Sequence, residues 1–214
     1  MTHQRWDTGQ DKGKVDAVDG YLTEISDMIR QMPQEQIWEV IHVLMDAWRR
    51  GSRVFLLGNG GSAATASHMA NDLNKYTIVP GQLRFKALAL SDNVPLMTAW
   101  GNDTSYENIF VEQMLNFWEP GDVAIGISGS GNSPNVLKAM QAARELGGTA
   151  IGFTGRDGGK LKDVVDLCIH IPSDKMVQQE DGHMILDHLM VTTLRRLIEQ
   201  AGERRSPFEG DEIV

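Results

Sequence analysis

Two histidines and two carboxylates in this sequence are spaced so that they can share a metal ion. His68 and Asp72 are four residues apart in one helical pattern, and Glu180 and His188 are eight apart in another. Residues at these spacings lie near one face of a helix, so each pair points in a common direction. Two imidazoles and two carboxylates are a sound ligand set for zinc or another divalent cation. We therefore predict a metal site at His68, Asp72, Glu180 and His188. The alternative is that both histidines are ordinary polar helix residues.

Two loops rich in glycine and serine indicate a second kind of chemistry, the binding of an anion. Each follows an apolar run and opens a helical pattern. Glycines let a ligand approach the backbone closely, and a helix N-terminus presents free amides to an anion. Serine hydroxyls and amides together can hold a phosphate without a lysine. The residues predicted to bind substrate here are Asn59, Gly60, Gly61, Ser62, Ser128, Gly129, Ser130, Asn132 and Ser133. The alternative is that both loops are merely tight connections.

Five short apolar runs indicate the elements that position these loops. They are Val54 to Leu57, Phe85 to Leu90, Val123 to Ile127, Ala150 to Phe153 and Leu167 to Ile171. Strands that are apolar throughout are typical of a parallel sheet covered by helices on both faces, so the predicted fold is a doubly wound α/β sheet. Helices are expected at Ala63 to Asn74, Tyr106 to Asn116, Pro134 to Leu146 and Glu180 to Gln200. Ser133 is expected to cap the third of these.

The first 50 residues carry a different pattern. Apolar residues at helical spacing before and after Pro33 predict a pair of amphipathic helices. We interpret residues 1–50 as a helical segment of the same domain, residues 51–200 as the α/β domain and residues 201–214 as a loose polar tail. The helical pair is expected to pack either on its own sheet or against another subunit.

Composition excludes several classes of protein. The formal net charge of -9 argues against nucleic-acid or anionic-membrane partners, which bind clustered Lys and Arg. No apolar run is long enough to span a bilayer, and the polar start lacks a secretory signal, so we expect a cytoplasmic protein. The single cysteine, Cys168, excludes an internal disulfide and is expected in the core.

A dinucleotide-dependent oxidoreductase is the first competing interpretation, because Gly58, Gly60 and Ala63 satisfy the pattern G-x-G-x-x-A. That pattern also requires an acidic residue about 20 residues further on, after the next strand. Asp92 is considerably farther away than that. The second serine-rich loop has no place in this scheme and favours a phosphorylated small molecule.

Taken together, these motifs carry a family resemblance. Gly58 to Ser62 with His68, then Ser128 to Ser133, then Glu180 to His183 resemble sugar isomerase (SIS) domain proteins of the phosphoheptose isomerase group. The resemblance implies a flavodoxin-like sheet over residues 51–200 and a homotetramer with active sites at subunit interfaces. It also marks Asn102 and Asp103 as part of a substrate-contacting loop. Of the remaining histidines, His183 is the one expected to face the site.

The same resemblance implies a zinc site, usually built from His and Glu on the first helix and Gln and His on the last. This chain departs from that pattern at Asp72, which is shorter than Glu, and at Glu180, which adds a negative charge. The implied reaction is aldose–ketose isomerisation of a sugar phosphate through an enediolate. Its base is Asp72 as first choice or Glu180, and its acid is His188.

Two further points stay open at this level. The anionic group of the substrate is either a phosphate or another tetrahedral anion such as a sulfonate. Relatives also include non-catalytic SIS tetramers, which act as sugar-phosphate sensors or as scaffolds for a replication initiator protein. Retention of four ligand-type side chains favours the enzyme over both.

Overall fold

The predicted parallel α/β sheet is confirmed. The computed structural model describes residues 11–202, with the side chains of residues 16–202, so most of the expected tail lies outside it. Five parallel strands form one sheet in the order β2-β1-β3-β4-β5, the order of flavodoxin-like folds. The strands are β1 (Arg53–Gly58), β2 (Lys86–Ala89), β3 (Val123–Ser128), β4 (Thr149–Thr154) and β5 (Leu167–His170).

Helices cover both faces of this sheet. They are α1 (Asp11–Arg30), α2 (Gln34–Arg50), α3 (Gly61–Lys75), α4 (Val94–Asp103), α5 (Val111–Leu115), α6 (Pro134–Glu145), α7 (Leu161–Val164) and α8 (Met176–Gln200). Alternate residues of each central strand point to opposite faces, so Val54 and Leu56 pack in one apolar cluster and Phe55 and Leu57 in the other. One cluster takes in α2, α3 and α8, and the other takes in α5, α6 and α7.

Three local differences from the predicted elements have physical reasons. Residues 101–103 are the last turn of α4 rather than a loop, and the side chain of Asn93 caps this helix by accepting a hydrogen bond from the Leu96 amide at 3.2 Å. The last helix begins at Met176 rather than at Glu180. Gly182 lies inside it because a side chain there would overlap Ile171. Cys168 is only partly buried because β5 is an edge strand.

The two N-terminal helices differ in how much of their surface is buried. α2 packs on its own sheet through Val40, Ile41 and Leu44, which are fully or almost fully buried. α1 is held at the start of α8, where Glu24 accepts hydrogen bonds from Lys175 Nζ at 2.5 Å and Gln178 Nε2 at 2.6 Å. The rest of α1 keeps an exposed apolar face, formed by Val18, Tyr21, Leu22 and Ile29.

The strand order brings the two glycine and serine loops together. The chain leaves the central strand β1 toward one edge of the sheet and leaves β3 toward the other edge. The loops after these two strands therefore diverge and leave a crevice between them, which is where doubly wound sheets bind ligands. Both predicted anion-binding loops border this crevice.

No helix within residues 11–202 has the length and hydropathy needed to cross a bilayer.

Candidate active site

A polar pocket of about 210 Å³ opens at the crevice between β1 and β3. We call it the serine pocket. Its walls come from the loops after β1, β3 and β4 and from the first two turns of α8. The lining residues are Asn59, Ser62, Ile127, Ser128, Gly129, Ser130, Ser133, Arg156, Met176, Gln179, Glu180 and His183. Six of the residues predicted to bind substrate are thus brought to one cavity.

A pair of asparagines fixes the two loops relative to each other. Asn59 Nδ2 donates to Asn135 Oδ1 at 2.9 Å, and Asn135 Nδ2 donates back to Asn59 Oδ1 at 2.8 Å. Asn135 is 1% exposed, and its Oδ1 also accepts from the amide of Val136 in the first turn of α6. The Tyr106 hydroxyl donates to Asn59 Oδ1 at 3.1 Å. Buried polar groups need hydrogen-bond partners, and Asn59 supplies two of those that the Asn135 side chain needs. The pair of bonds therefore holds the loop after β1 against α6.

The serine loop is shaped so that hydroxyls remain available to a ligand. Ser133 stands at the N-cap of α6, but its side chain makes no capping hydrogen bond, so that expectation is wrong. Its Oγ lies 3.3 Å from Ser128 Oγ instead. Asn132 turns away from the pocket, donating to the Ser130 carbonyl at 2.8 Å and accepting from the Lys160 amide at 3.2 Å. Asn132 therefore has a structural role here, and the serine hydroxyls face the cavity.

Glu180 and Gln179 enter the pocket from α8 where two glycines leave room. A side chain on Gly61 would overlap the Glu180 carboxylate, so Glu180 lies over the N-terminus of α3, where a negative charge is stabilised by the helix dipole. A side chain on Gly129 would meet Gln179 in the same way. Gln179 Nε2 donates to the Ser173 carbonyl at 2.8 Å, which fixes its position.

His183 forms the floor of the serine pocket and is 1% exposed. Its Nε2 donates to the Thr154 carbonyl at 3.2 Å, since a carbonyl can only accept. Burial lowers the pKa of His183 to about 4, and the bond to Thr154 opposes this shift. His183 is therefore neutral at physiological pH, and its Nδ1 is free to accept a hydrogen bond.

A second group of polar side chains lies further along α3 and α8. His68 Nε2 and His188 Nε2 are 3.0 Å apart, and Asp72 Oδ2 lies 3.5 Å from the first and 3.9 Å from the second. Ligand atoms that bind one zinc ion tetrahedrally at 2.0–2.1 Å are about 3.3 Å apart. The spacing of these three atoms is thus close to that of a shared cation.

Asp187 completes this group. One of its carboxylate oxygens lies within 4.8 Å of the ligand atoms of His68, Asp72 and His188. Asp187 is fully buried, and neither oxygen has a hydrogen-bond partner in the described part of the chain. Burial raises its pKa to about 7, and the nearby charge of Asp72 adds to the rise. A buried carboxylate without a partner is costly, and a divalent cation would compensate it, so the residues present fit a metal.

The serine pocket and the metal-ligand group are connected by two helices that run side by side in the same direction. Gly61 on α3 meets Glu180 on α8 at the pocket, and His68 meets His188 at the other end. Six residues separate Ser62 from His68, which is about 9 Å along a helix. An extended ligand anchored by an anionic group in the pocket can therefore present its far end to the histidines and carboxylates.

Residues 20–155 match a family model described as SIS domain. The match covers well over half of the chain. The chain belongs to the SIS-domain family.

The relatives of this SIS protein extend the match beyond the domain model. It is 40% identical over 157 residues to a phosphoheptose isomerase of Clostridium acetobutylicum, covering 73% of this chain and 79% of that protein. It is 43% identical over 155 residues to a phosphoheptose isomerase of Rhodospirillum rubrum, covering 72% and 81%. The solved structure of phosphoheptose isomerase from Neisseria gonorrhoeae superposes with a TM-score of 0.78 at 29% identity, covering 86% and 98%. The resemblance to the phosphoheptose isomerase branch is confirmed.

Five of the predicted site residues lie outside both groups, and Asn132 is one of them. Asn102 and Asp103 are exposed at the end of α4, where Asn102 Nδ2 donates to Asp103 Oδ1 at 2.8 Å. Gly60 and Gly61 form the start of α3, with Gly60 at a φ of 56° that favours glycine. Glu180, predicted as a metal ligand, lies in the serine pocket, and Asp187 takes its place beside the histidines.

Sequence reasoning about this SIS protein missed Asp187, Arg156 and Gln179. Asp187 had a signal, because it is a lone carboxylate in the apolar stretch Met184 to Met190 and directly precedes His188. Arg156 also had one, since it is a cation in a third glycine-rich loop after a buried strand. Gln179 had no signal in the sequence, because its position in the pocket depends on the glycines that leave room for its side chain.

We predict that His183 makes stability depend on pH. The unfolded chain takes up a proton near pH 6.5 and the folded chain only near pH 4, so the His183 contribution is present above about pH 6.5 and is lost as pH falls to about 4. The full loss is roughly 3 kcal/mol. Asp187 has the opposite effect. Because its pKa is raised, its contribution to the free energy of unfolding is greatest at low pH and is lost as pH rises through about 7.

The comparison that isolates His183 is the free energy of unfolding of wild type and His183→Gln, measured by urea titration between pH 4 and pH 8. The destabilisation caused by the substitution should shrink by roughly 3 kcal/mol from pH 8 to pH 4. A difference that stays constant over this range would show that His183 is not buried in its neutral form.

Proposed function

We propose that this protein is a sugar-phosphate aldose–ketose isomerase, with sedoheptulose 7-phosphate as its expected ketose. The observation that carries this is the pairing of an anion-binding serine pocket with a group of histidines and carboxylates about 9 Å further along α3. Isomerisation needs an anchor for the phosphate and proton-transfer groups at the carbonyl end. The phosphoheptose isomerase relatives support the seven-carbon substrate.

In this proposal the serine pocket binds the phosphate. Ser128 and Ser133 present hydroxyls 3.3 Å apart, and Ser62 adds a third at the start of α3. Ser133, at the N-terminus of α6, borders the same space, where the helix dipole favours an anion. Binding there holds the sugar along α3, which brings its carbonyl end near Asp72 and His188 and lowers the entropic cost of reaction.

The proton transfers fall to Asp72, Glu180 and His188, either directly or by holding a cation. Asp72 removes the proton from the carbon beside the carbonyl, and Glu180 is the alternative base. The electron pair moves toward the carbonyl oxygen, which gives an enediolate. His188 protonates this oxygen and then takes up the proton of the hydroxyl on the adjacent carbon, whose oxygen becomes the new carbonyl oxygen. Return of the first proton to the former carbonyl carbon completes the change from ketose to aldose.

The metal of this proposal is zinc or another divalent cation, held by His68, Asp72 and His188. Asp187 is the fourth donor in the arrangement that the structure offers, and Glu180 is the fourth donor in the pattern that the resemblance implies. When bound, such a cation stabilises negative charge on the substrate oxygens.

We also propose that the protein acts as a cytoplasmic homotetramer whose sites lie at subunit interfaces. The exposed apolar face of α1 supports a partner of the same kind, because Val18 and Leu22 are 59% and 60% exposed. α4 supports it as well, since none of its residues is buried although most are apolar. The metal-ligand group is also open on one side, with the side chains of His68 and His188 43% and 55% exposed.

The isomerase proposal is tested by proton exchange in D₂O with a panel of ketose and aldose phosphates, followed by NMR. We expect exchange at the carbon beside the carbonyl and formation of the isomer for a seven-carbon ketose phosphate. Asp72→Asn should lower kcat by about 100- to 10,000-fold, because general-base catalysis contributes that much. Asp46→Asn, on the far helix α2, is the matched control and should leave kcat unchanged.

Full turnover by Asp72→Asn with an intact fold would remove Asp72 as the base, and a large loss in Glu180→Gln would then assign that role to Glu180. If no sugar phosphate undergoes exchange while one of them still raises the melting temperature, the protein is a sensor or scaffold rather than an enzyme.

The metal proposal predicts that Asp187 matters more to metal affinity than Glu180 does. In competition with a chromophoric zinc chelator, Asp187→Asn should weaken zinc binding by at least about tenfold, and Glu180→Gln should change it by less than about threefold. Metal content of the wild type should be one ion per chain. The opposite ranking of the two variants would place Glu180, and not Asp187, in the ligand set.

The tetramer proposal predicts a molar mass in solution of about 95 kDa for four chains of 23.7 kDa. Leu22→Glu should lower this mass, because it places a charge on the exposed apolar face of α1 without disturbing the core. Thr23→Glu, at an exposed position outside that apolar face, is the control and should keep the wild-type mass. A monomeric wild type by light scattering would overturn the assembly.

A further inference from the structure

Among residues 16–202, Arg156 is the only lysine or arginine that lines the serine pocket. It follows β4 in the glycine-rich loop Gly155 to Gly159. The serine hydroxyls of the pocket are neutral, so they supply no positive charge. In the described part of the chain its guanidinium makes no hydrogen bond or ion pair with another residue. A cation is thus available at the anion-binding end of the site.

The backbone of Arg156 is unusual. Its φ is 51°, and no other non-glycine residue among residues 11–202 has a positive φ. This conformation is unfavourable for a residue with a Cβ, and glycine or asparagine would adopt it with less strain. Strained residues of this kind cluster at ligand-binding sites, where the side chain is needed for binding in spite of the strain in its backbone.

The position of Arg156 relative to the serines is fixed by the backbone. The Gly155 amide donates to the Gly129 carbonyl at 3.0 Å, and the Leu161 amide donates to the Gly131 carbonyl at 2.9 Å. The Arg156 amide donates to the Ser173 carbonyl at 3.2 Å. These bonds lock the loop after β4 onto the serine loop on one side and onto the segment before α8 on the other. These bonds hold the backbone of Arg156 beside the pocket.

The charge of the pocket gives Arg156 a role. Glu180 places a carboxylate in the same cavity, and a phosphate dianion would be repelled by it. Serine hydroxyls and backbone amides reduce that repulsion, but they add no net positive charge. A guanidinium matches the geometry of phosphate oxygens through two parallel hydrogen bonds and stays charged at every physiological pH.

We propose that Arg156 binds the anionic group of the substrate and makes the serine pocket selective for a phosphate dianion over a singly charged sulfonate. This inference rests on the proposed function for the identity of the substrate, but not for the binding of phosphate itself. Arg156 is a binding and specificity residue in this proposal, and it takes no part in the proton transfers.

Arg156→Asn is the informative variant, because asparagine tolerates a positive φ and removes the charge without adding backbone strain. Lys160→Asn is the matched control, since it removes one positive charge from the same loop at an exposed position outside the pocket. Arg156→Lys keeps the charge and loses the paired hydrogen bonds. Circular dichroism and the melting temperature establish that each variant is folded.

The first measurement is the Kd for inorganic phosphate at about pH 8, where phosphate is largely dianionic, by isothermal titration calorimetry. Arg156→Asn should raise this Kd by about 10- to 100-fold, Arg156→Lys by about 3- to 10-fold and Lys160→Asn by less than about twofold. Binding of methanesulfonate should fall much less than binding of phosphate in Arg156→Asn, so the preference for phosphate should shrink.

The second measurement is steady-state turnover of the ketose phosphate, where Arg156→Asn should raise KM by the same factor and leave kcat within about twofold. Wild-type phosphate affinity in Arg156→Asn would overturn the proposal, and so would an equal loss in Lys160→Asn. The calorimetry requires no turnover, so a protein that proves not to be an isomerase still gives a clear answer about Arg156.

Discussion

The packing of α3 against α8 determines the geometry of the whole site. Both helices contribute to the apolar cluster under one face of the sheet, through Ala66 and Met69 on α3 and Leu186 and Met190 on α8. All four side chains are fully buried. A shift of one helix by a single turn would move its residues by about 5.4 Å, which is more than the spacing of any two ligand atoms in the metal-ligand group. The site is therefore only as well ordered as this apolar contact.

Polar contacts then adjust the loops that the packing brings near each other. The reciprocal bonds between Asn59 and Asn135 join the loop after β1 to the start of α6. Gly131 lies so close to Gly158 that a side chain between them would overlap the backbone of the neighbouring loop. Hydroxyls and amides bind an anion only when they point at it. The fixed loops are therefore what would let the serine pocket bind an anion without a lysine.

The sheet and its two binding loops could be predicted because their signals are local. An apolar run such as Val123 to Ile127 followed by Ser128 to Ser133 predicts a buried strand and a loop that borders the crevice of the sheet. The ends of helices are harder to predict from the sequence. The last helix was predicted to begin at Glu180 and begins at Met176, and only the contact with Ile171 explains why a glycine is needed inside α8.

The metal-ligand group could be predicted only in part, because sequence spacing gives the face of a helix and not the distance along it. Glu180 and His188 lie near one face, but eight residues span about 12 Å of helix, far more than the few ångströms between donors to one ion. The side chain of Asp187 points about 100° around α8 from that of His188. The two residues are nevertheless neighbours along the helix axis. Which of the two carboxylates meets the histidines depends on how α8 rests on α3.

The two departures of this chain from the pattern of its family are each matched by a residue elsewhere in the site. Asp72 reaches less far than a glutamate, and Asp187 brings a second carboxylate to the same histidines from α8. Glu180 adds a negative charge where a neutral glutamine is usual, and Arg156 adds a positive charge to the same pocket. In the proposed site, Asp72 and Asp187 would together offset the charge of a divalent cation, and Arg156 would offset the charge of Glu180 in the serine pocket. The pocket would then meet a substrate dianion without an unbalanced negative charge of its own, so the glutamate at position 180 is compatible with the proposed binding of a phosphate.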